Sequence, residues 1–239
     1  MRIELDKIEK RYGNKIALSI PAWSIESGEV LGLVGSNGAG KTTFLRLLLD
    51  LLRPNSGSIK MNGRLLEMDA SWRGITGSFL DRSFLIEYLT IPEYLEFVGA
   101  SFGFSKTETY ERLAPFESFL PISRVDSTRL LRDLSTGNAK KVGILAALFP
   151  TPELVILDEP FANLDPPSQI RLKDLLIRAA RVEHTTMIIS SHDLGHVMEV
   201  CGRITLLAEG KISRDIETSP ETLAELNTFF ASEESASAT

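Results

Sequence analysis

The stretch Gly35-Ser36-Asn37-Gly38-Ala39-Gly40-Lys41-Thr42 constrains this chain more than any other. It satisfies the pattern G-x-x-x-x-G-K-[ST] at every fixed position. Immediately before it, Val30–Val34 (VLGLV) has no polar side chain, the pattern of a strand buried on both faces of a sheet. Immediately after it, KTTFLRLLLDLL runs over 41–52 with no helix breaker until Pro54 and predicts a helix. A buried strand, a glycine turn and a helix start turn successive N–H groups inward and add the helix dipole, which makes a cradle for phosphate. Gly35, Ser36, Asn37, Gly38, Ala39 and Gly40 would line that cradle, with Thr43 beside it. Lys41 would reach the β- and γ-phosphates, and the Thr42 hydroxyl would take Mg²⁺. The competing reading, a glycine turn with a surface lysine, needs both flanking elements to coincide by chance.

Leu154-Val155-Ile156-Leu157-Asp158-Glu159 reads as a second buried strand ending in adjacent acids. In a chain with a phosphate loop, Asp158 is expected to hold Mg²⁺ through water and Glu159 to polarise an attacking water as general base. A lone carboxylate there would more simply be a solvated turn; a pair weakens that alternative.

Around these motifs the pattern is α/β. Residues 3–8 alternate apolar and polar, and 16–25 stay β-compatible after the turn-like Tyr12-Gly13-Asn14, so the chain is expected to open with antiparallel strands. Between Ile91 and Leu134 the β-branched runs thin out, and 92–102, 106–114 and 122–131 read as short helices separated by Gly103, Pro115 and Pro121. A further strand is expected over 186–190. Strands alternating with helices indicate a mainly parallel sheet, whose chemistry sits at the strands' carboxyl ends. Here those ends carry Gly35, Asp158 with Glu159, and Ser190 to His192. The expected division is a core over 1–80 and 132–218 with an antiparallel β subdomain, a helical subdomain over 81–131, an amphipathic helix over 219–231 and a polar, flexible tail over 232–239.

Charge and cysteine content exclude some classes. With 26 Lys+Arg against 32 Asp+Glu the net charge is −6, which argues against nucleic acid bound through overall charge. No apolar run approaches the ~20 residues of a membrane-spanning helix. The opening MRIELDKIEKRYG carries no secretion signal, and the one cysteine, Cys201, permits no intrachain disulfide. Both fit a reducing cytosol.

Taken together, these motifs resemble the ATP-binding cassette ATPases, the nucleotide-binding subunits of ABC transporters, over about residues 1–215. Leu134-Ser135-Thr136-Gly137-Asn138 stands where that family has its signature LSGGQ, with Thr136 and Asn138 as departures. The resemblance implies that Ser135, Thr136 and Gly137 contact ATP held by the opposite subunit; a Ser/Gly turn is otherwise a common helix N-cap. It likewise implies that Tyr12 stacks on adenine, that Asp165 helps couple the two sites, and that His192 contacts the γ-phosphate and holds the general base. Their plainer alternatives are a turn tyrosine, an N-cap before Pro166 and Pro167, and a structural histidine; His184 and His196 are read as structural. Aligning Thr90-Ile91-Pro92-Glu93-Tyr94-Leu95 with the family puts Asp81 where a Mg²⁺-binding glutamine is usual. An ionised carboxylate there could bind Mg²⁺ but cannot donate a hydrogen bond, so altered turnover or coupling is expected.

The implied function is Mg-dependent ATP hydrolysis powering transport, with ATP and Mg²⁺ bound, a separate transmembrane permease and a second cassette as partners, no nucleic acid, and a place on the cytoplasmic face of the cell membrane. The alternative is a soluble switch acting on ribosomes or DNA, although such relatives usually carry two cassettes or a long coiled coil. A small-molecule kinase would leave LSTGN, Asp158-Glu159 and His192 unexplained together. Trp23, Trp72 and Cys201 are expected to pack, and Phe97, Phe102 and Phe104 to hold the helical segment to the core. The apolar loop with Phe84, Leu85, Ile86 and Leu89 would be partly core, its remainder suiting a groove for a short helix of a membrane subunit.

Overall fold

Alternation in the first residues produces a long hairpin. In the computed structural model, which describes residues 1–124 and 126–219, β1 (Ile3–Tyr12) and β2 (Lys15–Ile25) pair antiparallel from Ile3 opposite Ile25 to Tyr12 opposite Lys15. Of the helix expected over 219–231, everything past Ser219 lies outside the described residues, as does the tail over 232–239.

The strand β3 (Val30–Val34) is buried at every position and leads into the phosphate loop and α1 (Lys41–Leu48). This helix ends earlier than Leu52. Asp50 adopts the left-handed region with φ 53°, and the Leu51 N–H donates to the Arg46 carbonyl at 2.9 Å while the Asp50 N–H donates to Leu47 O at 3.2 Å. That closure satisfies the last carbonyls of the helix, and the Asp50 carboxylate then pairs with Arg73 at 3.0 Å. The apolar pattern of 41–52 gives no sign of it, because Asp occupies the position that glycine usually marks.

Strands β4 (Ser56–Met61) and β5 (Arg64–Leu65) complete an antiparallel sheet of order β2-β1-β4-β5. After β6 (Thr76–Phe79) come α2 (Ile91–Ser101), opened by a Thr90/Glu93 capping box, and α3 (Lys106–Leu113), capped by Ser105. The helix expected over 122–131 does not form in the described residues. A 3-10 turn spans Ile122–Arg124, the Asp126 carboxylate accepts from the Thr128 N–H at 2.9 Å and hydroxyl at 2.6 Å, and Leu130 bridges to Thr90. A side chain that bonds its own backbone two residues on competes with helix formation.

The rest alternates as expected: α4 (Thr136–Leu148), β7 (Leu154–Leu157), α5 (Pro166–Glu183), β8 (Thr186–Ser191), α6 (Leu194–Val200), β9 (Arg203–Ala208) and β10 (Lys211–Glu217). The second sheet has the order β10-β9-β3-β8-β7-β6, parallel throughout except for the edge pair β10 and β9. Successive side chains of its strands leave on opposite faces, feeding two apolar clusters. Leu31, Leu33, Ile156 and Ile188 pack with the hairpin and α1, whereas Val34, Val155, Leu157 and Ile189 pack with residues of α2, α4 and α5.

Trp23, Trp72 and Cys201 are buried, and burial pushes the Cys201 thiol up to about 12. Phe104 packs on the core with the Arg112 guanidinium 4.1 Å from its ring centroid, and Phe102 stacks on Phe104 at 6.2 Å. Phe97 does not hold the segment down: α2 turns Tyr94 and Leu95 inward, which leaves Phe97 54% exposed. In the loop before α2, Leu85 is buried while Ile86 and Tyr88 are exposed, Tyr88 at 75%.

Candidate functional site

The register of the parallel sheet decides what meets what. Val34 lies opposite Ser191 and Leu206, and Leu157 opposite Ile189 and Phe79, so the chain leaves β3, β7, β8 and β6 on one edge of the sheet. The phosphate loop, Asp158 with Glu159, His192 and Asp81 follow those strand ends in turn.

In the loop, Gly38 and Gly40 have φ of 84° and 108°, conformations that side chains with a Cβ avoid. A Cβ on Gly35 would stand 2.3 Å from the Leu207 carbonyl oxygen, so the loop runs close against the strand β9. Ser36, Asn37 and Gly38 face solvent, whereas Lys41 is buried. Its Nζ donates to Gly35 O at 2.6 Å and Ser36 O at 3.3 Å and lies 3.5 Å from Glu159 Oε1. The loop's carbonyls and the Glu159 carboxylate together hold this buried ammonium at the cradle, where it can meet an anion by exchanging those partners.

The acidic pair is joined to this loop directly. Thr42 Oγ1 donates to Asp158 Oδ2 at 2.6 Å, and Asp158 Oδ1 accepts from Ser190 Oγ. The same Ser190 oxygen accepts the Glu159 N–H at 2.9 Å. Glu159 itself sits in the left-handed region with φ 48° and places Oε2 2.8 Å from His192 Nδ1. Lys140, from α4, donates from Nζ to the Glu159 carbonyl at 2.7 Å. Burial pushes the Lys140 ammonium pKa down, opposed by the charges of Glu159 and Asp158.

Asp81 lines a pocket of about 250 Å³ together with Thr136, Lys140, Asp158 and Glu159. Its carboxylate accepts from the Ser83 N–H at 2.8 Å and from Arg46 at 3.2 Å. Burial raises its pKa, but the bonds from Ser83 and Arg46 together outweigh it and leave the carboxyl below its usual range.

The other residues singled out in the sequence lie on the rims. Ser135 caps α4 by accepting the Asn138 N–H at 3.3 Å, and Ser135 and Thr136 are exposed beside half-buried Gly137. Asp165 caps α5, accepting from Ser168 N–H at 2.9 Å and Oγ at 2.8 Å; those bonds, with Lys141 3.3 Å away, hold its pKa at about 2. Tyr12 ends β1 with its ring 52% exposed and the Lys10 ammonium 5.5 Å from the centroid. His184 closes α5 in the left-handed region and His196 stacks on Phe161 at 4.7 Å, structural roles both.

Ser190, named in the sequence at a strand end, meets Asp158 through its register, since Ile189 pairs with Leu157 and the next position across faces Asp158. Two further residues of the site carry no motif. Lys140 follows Thr136 by one helical turn, on the same face. Nothing in the sequence links Arg46 to Asp81. Chemically, the assembly offers an anion cradle, two hard oxygen donors in contact, and a carboxylate steadied by histidine, which are the parts needed to move a phosphoryl group to water.

A family model described as ABC transporter matches residues 18–162. An uncharacterized ABC transporter ATP-binding protein of Nostoc sp. is 33% identical over 190 residues, covering 79% of this chain and 56% of that protein, so the chain spans only about half of that relative's length. The Nod factor export ATP-binding protein I of Burkholderia lata is 30% identical over 233 residues, covering 93% of this chain and 72% of that protein. Among solved structures, an ATP-binding subunit of an ABC transporter superposes with a TM-score of 0.82 at 26% identity, over 91% of this chain and 90% of the other.

Proposed function

The chain belongs to the ABC transporter family, and we propose that it binds Mg-ATP and hydrolyses it to drive a substrate through a separate membrane subunit. The observation that carries this reading is the contact of Thr42 with Asp158, 2.6 Å apart, beside a buried Lys41 and a Glu159 held by His192. Mg²⁺ prefers hard oxygen donors and binds through few protein groups plus phosphates and waters, and the Thr42 and Asp158 oxygens fit that preference. Mg²⁺, when bound, supplies charge to offset that of the phosphates.

The protein's own groups do the rest. The N–H groups of the loop bind the phosphates, and Lys41 exchanges its carbonyl partners for the β- and γ-phosphate oxygens. Glu159 accepts a proton from the water that attacks the γ-phosphorus in line, while His192 and Ser190 fix its side chain and main chain. Tyr12 offers an exposed ring for adenine. Ser135, Thr136, Gly137 and Asp165 complete the site of a second cassette across a dimer, and the exposed Ser135 at the start of α4 supports that role. In this reading a separate permease makes the membrane passage and this chain sits on the inner face of the membrane; among the described residues no helix is long and apolar enough to cross one.

The test is to trap the ATP-bound state with Glu159→Gln, extract the tagged protein from its native cells in detergent, and identify what accompanies it. Recovery of a multi-spanning membrane protein is expected. Ribosomes or other soluble partners, with no membrane protein in repeated preparations, would overturn the transporter reading in favour of a soluble switch.

Asp81 gives a second, independent expectation. Its pair with Arg46 is nearly half exposed, so Asp81→Gln should change stability by no more than about 1 kcal/mol. Turnover at saturating Mg-ATP, or its coupling to transport, should nevertheless change, because the substitution removes a charge from the pocket of Asp158 and Glu159. Turnover and coupling equal to the wild type would remove Asp81 from the site.

A further inference from the structure

Glu159 is held in a backbone conformation that a residue with a Cβ leaves unless its surroundings fix it. Besides Lys41, 3.5 Å from Oε1, its anchors come from the end of β8 and from α4. The N–H is held by Ser190 at 2.9 Å and the carboxylate by His192 at 2.8 Å, both at the end of β8. The carbonyl accepts from Lys140 at 2.7 Å, across nineteen residues and from a different element, α4, and more weakly from the Ala162 N–H of its own turn at 3.3 Å. Lys140 reaches it from the same helix face as Thr136, one turn on from the exposed N-cap Ser135. The next residue, Lys141, pairs with Asp165 at 3.3 Å, and a Cβ on Gly137 would meet Asn163 O at 2.9 Å. The first turns of α4 therefore grip the chain segment 159–165 at both ends.

We propose that Lys140 is a positioning residue for hydrolysis, acting through the main chain of Glu159 so that the general base is aimed from α4. This rests on the role given to Glu159 above. An aliphatic stem would fill the same half-buried space yet leave the Glu159 carbonyl only the longer bond from the Ala162 N–H, at 3.3 Å. The peptide after Glu159 is then held less firmly, and His192 and Lys41 are left to aim the carboxylate. Nucleotide binding, which rests on the loop and Lys41, is untouched.

The experiment compares steady-state ATP hydrolysis and equilibrium binding of a fluorescent ATP analogue in Lys140→Met, Lys140→Gln and Lys140→Arg. Met and Gln are expected to lower kcat by about tenfold or more with KM and analogue affinity within about threefold, and Arg, which keeps charge and donors, to retain most of kcat. Gln keeps a polar head in the half-buried position, so the comparison survives if Met does not fold. The decisive arm puts Lys140→Met into Glu159→Gln. A residue that acts by aiming the base has nothing left to aim, so the residual rate of Glu159→Gln should not fall further. An equal fractional loss in both backgrounds would overturn the proposal, as would wild-type kcat in Met and Gln. If Glu159→Gln itself hydrolyses at the wild-type rate, it is the role of Glu159 that fails, and the proposal with it.

Discussion

Glu159→Gln is expected to lower the rate of ATP hydrolysis by about 10²–10⁴-fold, the range that a positioned general base contributes, and to leave ATP binding intact or tighter. The amide is nearly the same size and keeps an acceptor for His192 and a neighbour for Lys41, so the geometry around it persists. What it loses is the ability to take a proton from water. It also removes a negative charge that stands 3.5 Å from the Lys41 ammonium and would otherwise face the phosphates. The two effects point in opposite directions, slower chemistry and better retention, and single-turnover phosphate release alongside equilibrium nucleotide binding separates them. A rate within a few-fold of the wild type would mean that another group takes the proton.

Such a prediction could be framed from the sequence because each of its residues directly follows a recognisable strand. Gly35 to Thr42, the pair Asp158-Glu159 and His192 each follow a strand directly, and parallel pairing alone brings the ends of β3, β7 and β8 side by side. Elements with strong local signals are legible for the same reason: the fully apolar β3, and α2 and α3, bounded by Gly103 and Pro115. What was illegible depends on contacts between distant segments or on side chains competing with the backbone. The early end of α1 turns on Asp50 taking a left-handed conformation, and the absence, among the described residues, of the helix expected over 122–131 turns on Asp126 bonding backbone two residues on. Lys140 and Arg46 are ordinary residues until the fold sets them beside Glu159 and Asp81. Phe97 was misplaced because composition does not say which face of a short helix turns inward.

The second large effect concerns how α4 is seated. Gly77→Ala is expected to destabilise the protein by about 3 kcal/mol, at the upper end of what overpacking costs, and to lower its thermal midpoint by roughly 5–10 °C. Gly77 lies in the middle of β6, and a Cβ there would stand 1.9 Å from the Ala147 carbonyl oxygen, more than 1 Å inside ordinary contact. The obstacle is helix backbone, which cannot swing aside as a flexible side chain would. From the other partner, a Cβ on Gly143 of α4 would fall 2.1 Å from the ring of Phe79, so strand and helix approach through a glycine on each side. Easing the Gly77 clash means lifting α4 off the sheet. Because α4 carries Ser135 at its start and Lys140 one turn in, hydrolysis should fall along with stability, even though Gly77 touches no nucleotide group. Gly74→Ala is the control: a Cβ at that position meets nothing within 4 Å, and its φ lies outside the left-handed region. Urea denaturation and hydrolysis measured on both variants decide the matter. If Gly77→Ala is as stable and active as Gly74→Ala, α4 is not held against β6 in the way that fixes Lys140 over Glu159.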